Sequence, residues 1–171
     1  ITYSQLYQKV LLESKKYKLG EIVIFRATQS IDFLITYFAI HNVGAVSVPL
    51  ENDAPESRVE EIKRSLTDVN IPSDVADILY TTGTTGKSKG VMLSHRAIVA
   101  TAKNLIEGQH FSHELCFIIS GPLNHIGSLS KVYPTIIQGG SLYILSGLKS
   151  FELFFKALEY PSQRMATFMV P

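Results

Sequence analysis

The chain has 171 residues, 46% of them hydrophobic, with 16 basic residues against 15 acidic and a formal net charge of +1. That balance excludes recognition of nucleic acid or a membrane surface by bulk charge, and apolar runs such as Phe33-Leu-Ile-Thr-Tyr-Phe-Ala-Ile40 fall far short of the roughly 20 residues that cross a bilayer. Cys116 is the single cysteine, so no intrachain disulfide forms; within Leu115-Cys-Phe-Ile-Ile119 it reads as a small buried hydrophobe and fits a reducing, cytoplasmic setting.

In chain order, residues 2–18 carry apolar positions at Leu6, Val10 and Tyr17, a helical spacing that Gly20 is expected to stop. Residues 21–25 read as a buried strand. Residues 30–43 read as a helix, with Ser30 as candidate N-cap and Gly44 as its stop. A strand follows over 45–50, then a helix over 55–66 with Pro55 in its first turn. The mixed charges between Glu56 and Arg64 read as the solvated face of that helix. Strands are expected at 77–81 and 90–93, and Ser94 can cap a helix that runs to about Glu107. The remainder reads as strand 115–120, helix 125–138, strand 141–145, helix 150–160 and strand 165–170. Strand and helix alternate throughout, so the expected fold class is α/β with mostly parallel sheets.

The stretch with the most chemistry is Tyr80-Thr-Thr-Gly-Thr-Thr-Gly-Lys-Ser-Lys-Gly-Val91, where four threonines, three glycines and two lysines lie between two strands. Glycine admits backbone turned so that N–H groups face inward, and such concave N–H runs hold anions. Threonine adds uncharged donors and lysine adds charge. The pattern suits a polyphosphate. It is not a Walker A loop: Gly86-Lys87-Ser88 matches that motif's end, but Thr81 stands where its first glycine belongs. The lysine-serine pair of that motif also opens a helix, whereas residues 89–93 read as strand. The competing reading is a Gly/Thr/Lys surface loop without function.

Residues 80–90 resemble the signature loop of the AMP-forming adenylate-forming superfamily, roughly Y-T-S-G-T-T-G-x-P-K-G. That superfamily includes acyl-CoA synthetases, peptide-synthetase adenylation domains and firefly luciferase. Thr82 replaces the usual serine and keeps its hydroxyl; Ser88 replaces the usual proline, which loosens the loop. The flanks are similar in order as well: Gly44-Ala-Val-Ser-Val-Pro-Leu50, Leu93-Ser-His95, Pro122-Leu-Asn-His-Ile-Gly127, Gly139-Gly-Ser-Leu-Tyr-Ile-Leu145 and Ala166-Thr-Phe-Met-Val-Pro171. Asn124 stands where the family often has an aromatic residue, and Gly127 comes one residue early.

The resemblance implies ATP-dependent activation of a carboxylic acid as an acyl adenylate, then thioester formation with coenzyme A. ATP, Mg2+ and coenzyme A are the implied cofactors and a small-molecule carboxylic acid the implied partner, in a cytoplasmic enzyme of the fatty-acid-metabolism kind. It implies two sheets packed together. It also implies that residues 1–171 are one partial domain, the N-terminal part of a longer adenylation domain, inactive alone and exposing an apolar face that invites self-association. A peptide-synthetase-type domain loading a carrier protein, or a non-catalytic nucleotide-binding homologue, are the alternatives. In this reading Thr81, Thr82, Thr84 and Thr85 donate to phosphate, Gly83, Gly86 and Gly90 permit the curve, and Lys87 and Lys89 supply charge, Lys89 being the motif-matched lysine. The glycine-rich stretch from Thr84 to Ser88 is expected to be among the most mobile in the absence of phosphate. His125, at a strand end, and Gly127 border the acyl site. No catalytic residue and no metal ligand is expected within these residues: the adenine-, ribose- and magnesium-binding segments and the C-terminal lysine of the family are not among them.

The remaining histidines read as structural. His110-Phe-Ser-His113 has a spacing that metals use but no supporting ligand beyond Glu114. His41 ends a helix, where a cation suits the dipole. Ser94 and His95 are chain neighbours rather than a dyad, and no G-x-S-x-G elbow occurs.

Overall fold

The computed structural model describes residues 1–81, 88–145 and 151–168, and the chain forms two compact units, Ile1–His95 and Arg96–Pro171. In the first unit α1 (Tyr3–Ser14), β1 (Ile22–Ala27), α2 (Ile31–Asn42), β2 (Val46–Glu51), α3 (Glu56–Leu66), β3 (Val75–Thr81) and β4 (Lys89–Ser94) follow one another. Their sheet has the order β1-β2-β3-β4, with β4 alone antiparallel. In the second unit α4 (His95–Gln109), β5 (Leu115–Ile119), α5 (Ile126–Ile137), β6 (Ser141–Ile144), α6 (Phe151–Leu158) and β7 (Arg164–Thr167) build a parallel sheet of order β6-β5-β7. The fold is α/β with mainly parallel strands, as expected.

Several boundaries differ from the expectation. The first helix ends at Ser14, not at Gly20: Lys15, Lys16 and Tyr17 bond back to Leu12, Glu13 and Ser14 in a tightening turn. Gly20 instead turns the chain into β1 at φ +74, its N–H donating to the Gly44 carbonyl. At the other end Thr2 caps α1 in a reciprocal box with Gln5, a T-x-x-Q signature the sequence reading passed over. Ser30 occupies the cap position of α2, but its hydroxyl pairs with Thr28 at 3.0 Å and makes no cap bond. Gly44 does end α2, at φ +72 where a side chain would be strained.

The core of the first unit is apolar on the strand faces that α3 covers: Val46, Val48, Leu50, Val75 and Ile78 meet Ile62 and Leu66. Each such side chain contributes about 1.5–3 kcal/mol when fully removed from water. The outer face of α3 carries the ion pairs Arg58–Glu61 and Lys63–Glu60, as its charge pattern implied. The β2–β3 ladder is confined to Ser47 opposite Asp77, and Pro49, two residues on, has no N–H to extend it. In the second unit β5 is buried along its whole length, Cys116 included, with β6 and β7 on either side. Burial pushes the Cys116 thiol above its ordinary pKa.

Candidate functional site

The phosphate-loop candidate hangs from a hairpin. Thr81 ends β3 directly opposite Lys89, which opens β4, and Tyr80 faces Gly90. Both Thr81 and Lys89 are exposed. Residues 89–94 are strand, not helix, which agrees with the rejection of a Walker loop. Gly90 is needed here for packing: a Cβ at this position would stand 2.9 Å from Ile78 Cγ2 and 3.1 Å from Tyr80 Cζ. Tyr80 in turn is tied to α3, its hydroxyl 3.0 Å from Ser65 Oγ and its ring under the Arg58 guanidinium at 5.4 Å. Thr82, Gly83, Thr84, Thr85, Gly86 and Lys87 lie outside the described residues, and the expectation about the mobility of residues 84–88 falls mostly on them.

Where the backbone ladder to β2 gives out, side chains hold the hairpin. Asp77 is 1% exposed in the middle of β3. Tyr37 Oη donates to its Oδ2 at 2.7 Å, and His41 Nε2 lies 2.8 Å from its Oδ1. Both partners come from one face of α2, four residues apart. The His95 ring, at the end of β4, sits edge-on to His41 at 5.2 Å. Burial first, and the neighbouring His41 second, lower the His95 pKa against the opposing pull of Asp77 and Asp74. The helix-end position of His41 is as expected, but its main partner is a buried carboxylate rather than the helix dipole. The signal was legible: an aspartate inside Val75-Ala-Asp-Ile-Leu79 must find donors, and Tyr37 and His41 share a helical stripe with Phe33.

In the second unit His125 is the N-cap residue of α5, at the carboxyl end of the central strand β5. Its side chain is exposed and its carbonyl accepts from Ser128 and Leu129. The strand order reverses beside β5: one crossover leads to β6 on one side, the next returns to β7 on the other. Right-handed crossovers place the two helices on opposite faces, so the crevice between the ends of β5 and β7 is a topological switch point, the usual ligand position in such sheets. Ser120 Oγ donates to the Phe168 carbonyl at 3.0 Å and Thr167 Oγ1 to the Ile118 carbonyl at 3.0 Å, stitching the two ends together. Gly127 faces the Phe168 ring, where a Cβ would approach to 3.0 Å. The structure thus brings Gly127 together with Phe168, and Phe168 with Lys131, two residues the sequence reading missed, while His125 caps the same helix with its side chain exposed. A lysine in an otherwise buried helical stripe with Ser128 and Thr135 was the available signal. His110, at φ 53, serves as a turn residue whose carbonyl accepts from Arg164.

Residues 64–170 match the model of a family described as AMP-binding enzyme. Tyrocidine synthase 2 of Brevibacillus parabrevis is 33% identical over 138 residues, 76% of this chain and 4% of that protein. The 4-coumarate-CoA ligase 1 of Narcissus pseudonarcissus is 35% identical over 86 residues, 48% of this chain and 15% of the ligase. Among solved structures, ATP-bound MatB from Rhodopseudomonas palustris superposes with a TM-score of 0.80 at 20% identity, over 95% of this chain and 43% of MatB. The chain therefore spans less than half the length of each of these proteins, and the last likeness concerns the fold. With the family model covering well over half of its residues, the chain belongs to the AMP-binding enzyme family.

Proposed function

We propose that the full protein joins a carboxylic acid to ATP as an acyl adenylate and then passes the acyl group to a thiol. The observation that carries this reading is the hairpin that presents exposed Thr81 and Lys89 across from each other at the two ends of a Gly/Thr/Lys connection, in a chain of the AMP-binding enzyme family. In the first step a carboxylate oxygen attacks the α-phosphorus and pyrophosphate leaves. The charge that grows on the leaving group is met by Thr81, Thr82, Thr84 and Thr85 as donors and by Lys87 and Lys89 as cations. In the second step the thiol sulfur attacks the acyl carbon and AMP leaves. His125 and Gly127, at the β5–β7 crevice, border the acid.

Among the described residues no three carboxylate, imidazole or thiol ligands stand together. The described residues do not by themselves fit a magnesium site. Coenzyme A is the proposed thiol, in keeping with the 4-coumarate-CoA ligase match. Loading of a carrier protein is the second reading, favoured by the longer match to tyrocidine synthase 2.

The test is exchange of labelled pyrophosphate into ATP by the full-length protein across a panel of carboxylic acids. Acid-dependent exchange with AMP as the nucleotide product is expected. ADP formation without AMP overturns adenylation in favour of a kinase or ATPase, and ATP binding without exchange for any acid leaves a non-catalytic homologue. Thioester formation with coenzyme A, rather than with a carrier protein, separates the two thiol readings.

A further inference from the structure

Lys131 lies on α5, four residues past Gly127 and six past His125, and is only 8% exposed. Its Nζ stands 5.5 Å from the centre of the Phe168 ring. Among the described residues no carboxylate lies within ion-pair distance of it. An ammonium withdrawn from water is costly unless an anion or several acceptors replace the hydration shell, and one aromatic face replaces only part of it. Burial accordingly lowers the Lys131 pKa. Phe168, by contrast, is 44% exposed, so the ring that covers the cation is itself open to whatever enters the crevice. Gly127 is pressed against the same ring, where a Cβ would stand 3.0 Å from it. The Lys131 ammonium thus lacks a counter-charge among the described residues.

We propose that Lys131 is a specificity-determining residue that selects carboxylic acids carrying a second anionic group, which it holds beside the Phe168 ring while the reacting carboxylate is left free for activation. The inference rests on the adenylation reading above and adds a substrate class to it. An aliphatic or aromatic monoacid leaves the buried ammonium without its anion; a diacid of matched length supplies it. A charge-assisted hydrogen bond of this kind separates the two by about 10- to 100-fold in kcat/KM.

Matched pairs test it, hexanoate against adipate and benzoate against isophthalate, in acid-dependent pyrophosphate exchange by the full-length protein. The wild type is expected to favour at least one diacid by about that factor, Lys131→Met to bring the ratio close to one, and Lys131→Arg to retain a preference. A wild type that prefers the monoacid of both pairs overturns the inference, as does a ratio that Lys131→Met leaves unchanged. Should Lys131→Met fail to fold, the wild-type ratios and Lys131→Arg decide alone. Exchange with monoacids only sinks the diacid assignment and leaves adenylation standing; exchange with no acid in any panel sinks adenylation itself.

Discussion

Asp77 shows how one buried residue organises a neighbourhood. A carboxylate at 1% exposure is tolerable because Tyr37 and His41 each reach one of its oxygens. Removing a single donor leaves that oxygen short, which costs about 1–3 kcal/mol. Tyr37→Phe is therefore expected to lower the unfolding free energy by that amount, read as a lower urea midpoint with little change in slope; a loss under about 0.5 kcal/mol, the range of a neutral surface change, would show that the bond carries no net stability. The pairing was half legible in the sequence, since an aspartate within an apolar strand demands partners, but which helix supplies them depends on how α2 crosses the sheet. Lys131 was harder to see. Its side chain is long enough to snorkel to water from a helix, and only packing shows that it stays inside.

At the scale of the element, the β3–β4 hairpin fixes where Thr81 and Lys89 stand. Strand signals on both sides of Tyr80-Thr-Thr-Gly-Thr-Thr-Gly-Lys-Ser-Lys-Gly90 were plain in the sequence, and so was the failure of the Walker pattern. The antiparallel pairing was not: alternation of helix and strand argues for parallel neighbours, and a hairpin with so long a connection lacks the two-residue turn that announces one. The hairpin leaves Lys89 exposed, away from the core. Lys89→Ala is thus expected to change stability by no more than about 0.5 kcal/mol while lowering kcat/KM on the order of 10²–10³, read in acid-dependent pyrophosphate exchange alongside thermal unfolding. A variant as active as wild type removes Lys89 from the phosphate site. The terminal turns of α1 and α6 were misjudged for a simpler reason: apolar periodicity continues through Tyr17 and Tyr160, although the backbone has already left the helix.

At the scale of the whole molecule, histidine titration ties stability to pH. His95 is held below its ordinary pKa of 6.5 in the folded chain, so the unfolded chain binds the proton first as pH falls. Stability is fully present above about 6.5 and declines as pH drops from there through the folded value. The midpoint of thermal unfolding is expected to fall between pH 7.5 and 5.5, and His95→Gln to flatten that slope; a midpoint that rises on acidification contradicts the placement of His95 beside His41. The α/β class, the order of elements and the family were all legible from pattern and motif, whereas the crevice was legible only in outline, because its second wall comes from a distant part of the chain.

That distance has a consequence for how the molecule assembles. The bonds that close the crevice, Ser120 to Phe168 and Thr167 to Ile118, link residues 48 and 49 positions apart. Closing so long a loop is entropically slow compared with forming the hairpin, whose strands are separated by a short connection. During synthesis the hairpin's residues emerge well before Phe168 does. The place where the acid is proposed to bind thus acquires its shape after the β3–β4 hairpin, and a lesion confined to β7 would erase it while leaving that hairpin intact.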